Sequence, residues 1–255
     1  MQLNQIKAVV RPRNAWEAID LGFTLVQTWW RPLFKVWLAC LLPLACLDYA
    51  LFWQSPWLAV FLLWLCKPLL DACLLHFLSH ALFGQSPKVR ETYWALGVLI
   101  VKKNLLWAAL RLRFSFSRAF LLPVWQLENL SGRAREQRLK ILMKHQSETG
   151  QWLGFACYLF EWTLYLALFA LLLFFLPEHF AYREEFGFAL LHRDDAAPWA
   201  TAVIAVFNVF SIALIEPFFV AAGFALYLNR RTHLEGWDIE LGFRQLAARL
   251  QNQAA

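Results

Sequence analysis

The chain carries none of the short patterns that mark common catalytic sites. It has no HExxH, no GxSxG, no Walker loop and no GxGxxG, so a zinc hydrolase, a nucleophile elbow and a nucleotide cradle are all unsupported. The five cysteines, Cys40, Cys46, Cys66, Cys73 and Cys157, fall inside apolar segments without a close CxxC pair. They suit small buried hydrophobes better than a disulfide framework or a metal site. The six histidines, His76, His80, His145, His179, His192 and His233, are scattered along the chain, and neither a metal nor a cofactor is expected. The first 15 residues hold Lys7, Arg11 and Arg13 but no apolar run. They do not read as a cleavable signal, and the first spanning helix is expected to direct insertion. No period of the solenoid kind is present.

What the chain has is apolar length. Of its 255 residues, 60% are hydrophobic, against about 45–50% in soluble domains, and the mean hydropathy is +0.45. Trp 14 and Phe 23 suit interfacial belts and lipid-facing packing. The fold class expected is an all-α integral membrane protein with about four spans at 34–53, 57–80, 152–176 and 199–228, each near the roughly 20 residues that cross a bilayer core. Residues 1–255 form one membrane domain. The formal charge of +6 follows from basic flanks on one side of the membrane, and nucleic acid is not expected as a partner.

The last span is the longest. It carries Glu216 and then Pro217 deep inside, about 20 Å from Asn229 at helical rise, and stops at Arg230 and Arg231. Upstream, residues 14–30 place Trp16, Ile19, Phe23, Val26 and Trp30 on one helical stripe, after an Asn14–Glu17 pair resembling a capping box. That stripe predicts an interfacial helix on the cytoplasmic leaflet, with packing on the protein's own cytoplasmic part as the alternative. Pro32 is expected to bend the chain into the first span. Gln54, Ser55 and Pro56 then make a tight turn, so the first two spans form a hairpin. In the second span Lys67 lies about 16 Å from that turn, where a lone lysine costs about 2.5–3.5 kcal/mol. Asp71 shares its face one turn on and is a candidate partner. His76 and His80 continue that face.

Residues 84–150 mix apolar side chains with Lys102, Lys103, Arg111, Arg113 and Arg118. They are expected to lie in the cytoplasmic interface with the cations snorkelling to phosphates; a re-entrant hairpin is the alternative. Within them, 130–146 predicts a basic helix with Leu130, Ala134, Leu139 and Leu142 available for packing. The third span brings Glu161 about 14 Å in from Trp152. The acid-rich loop 177–198 contrasts with the basic 84–150, so it is expected outside and both termini inside. Ile239, Phe243, Leu246 and Leu250 predict a second amphipathic helix over 234–250. Lys67, Asp71, Glu161 and Glu216, with Asn208 nearby, are the intramembrane site candidates, because ionisable groups in a membrane suggest function by default.

The run Tyr227-Leu228-Asn229-Arg230-Arg231, followed by Glu235-Gly236-Trp237-Asp238-Ile239-Glu240, resembles the close of a family of bacterial polytopic proteins. That family is related to the membrane domain of some glycerophosphodiester phosphodiesterases. Phe83-Gly84-Gln85-Ser86-Pro87 and Leu122-Pro123-Val124-Trp125-Gln126-Leu127-Glu128 fit the same pattern. The resemblance implies a helical protein of the bacterial inner membrane and carries no reaction with it, so no enzyme activity is expected. Tyr227, Arg230, Arg231, Glu235, Gly236, Asp238 and Glu240 form its cytoplasmic motif. The arginines suit headgroup phosphates, and the acids suit the basic 130–144 segment. The expected function is a non-enzymatic inner-membrane subunit of an envelope-associated system, docking lipids with anionic headgroups or a protein partner. The alternative is a small transporter or lipid-handling protein using Lys67, Asp71, Glu161 and Glu216.

Overall fold

An apolar run in lipid must satisfy every backbone N–H and C=O internally, and the helix is the local solution. The computed structural model describes residues 11–84, 87–102, 110–128, 130–144, 147–175 and 198–236. Among these the chain is all-helical, with α1 (Ala15–Thr28), α2 (Trp30–Leu51), α3 (Pro56–Leu82), α4 (Val89–Lys102), α5 (Arg118–Gln126), α6 (Gly132–Met143), α7 (Ser147–Phe175) and α8 (Pro198–Glu235). Four are long and apolar enough to cross a membrane: α2, α3, α7 and α8. The loop expected at 177–198 lies almost wholly outside the described residues, as does most of the 234–250 helix, including Asp238 and Glu240.

Helix α8 is the hub, packed by α1, α2, α3, α5 and α7. Its 38 residues span about 57 Å at 1.5 Å each, well beyond the roughly 30 Å of hydrocarbon. Small residues let neighbours approach its lower half, where Ala221, Ala222 and Ala225 are fully buried, the usual substitute for a hydrophobic driving force inside lipid.

Two prolines within the spans, Pro43 and Pro217, are matched by donors from other helices. A proline at position i lacks the N–H that would bond the carbonyl at i−4. Pro217 therefore frees the Ala213 carbonyl, and Trp37 Nε1 on α2 donates to it at 3.0 Å. Pro43 in the same way frees the Ala39 carbonyl, which accepts the hydroxyl of Tyr93 from α4. Each freed carbonyl is thus tied to a neighbouring helix, which is how proline is tolerated at membrane depth.

Several sequence expectations change here. The chain breaks between α1 and α2 at Trp29 (φ −114°, ψ 24°), not at Pro32, which sits in the first turn of α2. Asn14 makes no side-chain cap, and Glu17, the other half of the expected box, pairs with Arg11 and Arg13. Helix α1 packs along α8, as the protein-packed alternative has it. Arg13 N and O bond the Asn229 side chain, both at 2.9 Å, while Phe23 meets Phe218 edge-on at 5.6 Å. The ten-residue step from Arg13 to Phe23 matches the eleven from Asn229 back to Phe218, so α1 and α8 run antiparallel side by side. Both described ends of the chain therefore lie at one end of the bundle, the end carrying Arg13, Arg230 and Arg231, called here the basic end.

The segment between α3 and α7 is the largest correction. Among its cations, Arg113 and Arg118 turn into the protein rather than outward, whereas Arg111 is 70% exposed; Lys103 and the side chain of Lys102 fall outside the described residues. Helix α4 packs on α3 and α2, and Arg113 reaches the Trp64 ring of α3 at 3.5 Å. The chain turns at 114–117, and α5 returns along α8 toward the basic end. There Glu128 accepts a hydrogen bond from Tyr227 at 2.8 Å. The described part of the segment, 110–128, is a hairpin packed against α3, α7 and α8, with Phe114 and Phe116 exposed at the turn. At its apex Gly154 of α7 presses against the Phe116 backbone, so closely that a Cβ there would stand 1.9 Å from the Phe116 carbonyl oxygen.

Candidate functional site: a buried ion cluster and its cavity

Three spanning helices and the hairpin converge on one cluster. Lys67 Nζ on α3 lies 2.5 Å from Glu161 Oε2 on α7 and 2.7 Å from Glu216 Oε2 on α8. The other Glu216 oxygen accepts from Arg118 Nη2, and Arg118 Nε reaches Asp71 Oδ2 at 2.7 Å. Asp71, Glu216 and Lys67 side chains are 0%, 2% and 3% exposed, while Glu161 and Arg118 at the edge of the cluster are each 13% exposed. The site lies about 16 Å from the Pro56 turn, near mid-bilayer.

Four of the sequence candidates, Lys67, Asp71, Glu161 and Glu216, are thus brought together, but the pairing differs from expectation. Lys67 and Asp71 share a helix face yet do not pair; Lys67 turns to the two glutamates, and Asp71 is taken by Arg118. Glu216 is the pivot, shared by both cations. Asn208 does not join; it accepts a hydrogen bond from Tyr49 at 3.2 Å, in the half of the bundle nearer the Pro56 turn. Arg118 is the member that sequence reasoning misplaced. A signal for it existed: among the deep candidates, Asp71, Glu161 and Glu216 stand against the single cation Lys67, and that imbalance favours a second cation.

Beside the cluster lies a cavity of about 230 Å³, lined by Trp64, Arg113, Phe114, Phe116, Tyr158 and Phe219 among others. A smaller space touches Lys67, Arg118, Glu161 and Glu216 and shares Arg118, Gly154, Tyr158 and Phe219 with it. Phe114 and Phe116 are 76% and 50% exposed on the outer surface of the bundle, so the cavity's aromatic wall continues to where lipid tails would lie. Arg113 is only 5% exposed. Its guanidinium covers the Trp64 face, an attraction that strengthens on desolvation, while Nε and Nη1 have no hydrogen-bond partner among the described residues.

A second network closes the basic end. Arg138 on α6 bonds both oxygens of Glu128, at 2.9 and 3.1 Å, and also Glu235. Arg231 reaches Glu235 Oε2 at 2.6 Å and Tyr227 Oη at 3.3 Å. Burial disfavours the Arg138 cation, but its bonds to Glu128 and Glu235 outweigh that and hold its pKa above the ordinary value. Burial pushes the Arg135 guanidinium down instead; it stacks on Trp125 at 3.9 Å. Gly236, just past α8, adopts φ +61° and returns its N–H to the Thr232 carbonyl at 3.0 Å, a left-handed helix end that glycine accepts without strain. The motif residues Tyr227, Arg231 and Glu235 are therefore bonded to one another and to Glu128 and Arg138 within the protein. Arg230 Nη2 approaches the Ile141 carbonyl at 3.4 Å.

Among the described residues no group of three or more His, Cys, Asp or Glu is placed to hold a metal, and all five cysteines are free thiols. His76 and His80 stack at 4.2 Å on α3. No family model, curated protein or solved structure matches the chain.

Proposed function

We propose that this multi-pass protein binds and moves a charged or amphipathic molecule through its intramembrane cluster, as a small transporter or lipid-handling protein. The observation that carries this is the convergence of Lys67, Glu161, Glu216, Arg118 and Asp71 from four elements beside a cavity whose wall runs to the bundle surface. Desolvating five ionisable groups is a large expense that apolar packing would avoid, and such residues in membranes commonly mark ion and substrate pathways. The basic end faces the cytoplasm on the positive-inside rule, and the C-terminal resemblance supports a bacterial inner membrane.

A second reading is an envelope-associated membrane subunit. It is favoured by α6, which turns Arg133, Gln137, Lys140 and Ile141 outward, a basic face suited to anionic headgroups or an acidic partner.

Proteoliposomes separate the two. With a pH dye inside and a fluorescent lipid in the bilayer, the purified chain is expected to accelerate proton entry or lipid exchange between leaflets. Lys67→Met and Glu161→Gln, in preparations that stay helical and monodisperse, should abolish it. Vesicles holding folded wild-type protein that behave like empty ones in both assays would sink the transport reading and leave the subunit reading standing.

A further inference from the structure

We propose that the Arg113 cavity is a binding site for an anionic amphiphile, a phosphoester head on an apolar chain, entering from the lipid between Phe114 and Phe116. The inference rests on the proposed transport reading only in assigning the neighbouring cluster a functional role.

Three observations combine. First, the guanidinium of Arg113 is buried, and Nε and Nη1 have no acceptor among the described residues. A buried unpaired donor is expensive, and for a charged group more so, so native structures rarely keep one without a purpose. The Trp64 face addresses the charge but supplies no oxygen. Second, the cations and acids of the cluster already answer one another, so Arg113 is the one without a direct carboxylate bond among them. With Arg113 counted, three cationic side chains stand against three carboxylates. The site thus has no net charge, and an incoming anion is held by hydrogen bonds to the guanidinium, whose fork matches two phosphate oxygens once Nε and Nη1, both fully buried, turn toward the cavity. Third, the cavity's size and lining divide by chemistry. About 230 Å³ holds a head and its first carbons but not a whole phospholipid. Phe114, Phe116 and Tyr158 provide an apolar track, 41–76% exposed at the bundle surface, along which a tail remains in the bilayer. A choline head would bring a second cation beside Arg113, so the site should reject zwitterionic phosphatidylcholine.

The test is native mass spectrometry of the full chain, released from detergent containing equal amounts of phosphatidylglycerol and phosphatidylcholine. Wild type should retain one phosphatidylglycerol about tenfold in preference, the size of one charged hydrogen-bonding contact. Arg113→Gln should bring the ratio near one, and Arg113→Lys should recover part of it, which also controls for a Gln variant that fails to fold. Added millimolar inorganic phosphate should not displace the lipid. A wild-type ratio near one overturns the site, as does undiminished selectivity in Arg113→Gln. Displacement by inorganic phosphate also overturns it, by showing a free-anion site instead. Retention is read without any flux. Lost selectivity with intact flux therefore fails this site alone, and intact selectivity without flux fails the transport reading alone.

Discussion

Two networks of arginine and carboxylate hold this bundle, and they differ more in solvent than in chemistry. At mid-bilayer, Arg118 and Lys67 share Glu216, with Asp71 and Glu161 as outer partners. At the basic end, Arg138 bonds Glu128 and Glu235, and Arg231 bonds Glu235. The first has side chains between 0 and 13% exposed; the second, between 10 and 27%. In low dielectric, a charge stripped of its partner has no water to turn to, so the penalty for breaking the first network is set by desolvation. In the second, water and salt compete for every group, and the same bond is worth a fraction as much. Nearly identical geometry therefore fixes a fold in one place and trims its edge in the other.

Glu216→Gln breaks the comparison hardest. It takes one carboxylate from both buried cations, and the expected loss is about 3–5 kcal/mol, seen as a lower SDS midpoint for loss of helicity or as failure to express. Arg118→Lys keeps the charge but cannot span Asp71 and Glu216 with one planar fork; a loss of about 2 kcal/mol in the same titration is expected, in the range of charged hydrogen bonds. Gly154→Val tests whether the hairpin apex positions the cluster, since the added side chain must displace the Phe116 backbone. An overpacking loss of about 1–3 kcal/mol is expected, with easier cysteine labelling of Ser115→Cys as the local readout. Arg138→Ala should cost least, near 1 kcal/mol, and its penalty should vanish in 1 M salt, where the screening length falls to about 3 Å. The Glu216→Gln penalty should persist in that salt. Equal salt sensitivity of the two would show that water reaches the buried cluster.

The four spans were legible because lipid imposes a length and an apolarity that survive in any packing: α2, α3, α7 and α8 follow directly from the runs around 34–53, 57–80, 152–176 and 199–228. Glu161 and Glu216 were legible as candidates for the same reason, since each stands alone in a hydrocarbon stretch. The pairings were not. Lys67 and Asp71 sit one turn apart, and helical spacing alone favours joining them. Helix packing instead aims the lysine at α7 and α8 and brings Arg118 to Asp71 through a hairpin that the local pattern could equally place at the surface. Helix α1 is a similar case: its stripe fits a bilayer surface and a neighbouring helix alike, and only Asn229 and Phe218 decide for the helix.

By itself, then, the sequence determined the solvent, the number of spans and which charges are too costly to leave alone, because each of those is a property of one segment in lipid. The tertiary structure decided which charge answers which and that 110–128 packs into the bundle. It also decided that Arg113 ends without an acceptor beside a cavity. Those outcomes depend on distances between segments far apart in the chain, and side-chain periodicity carries no information about such distances.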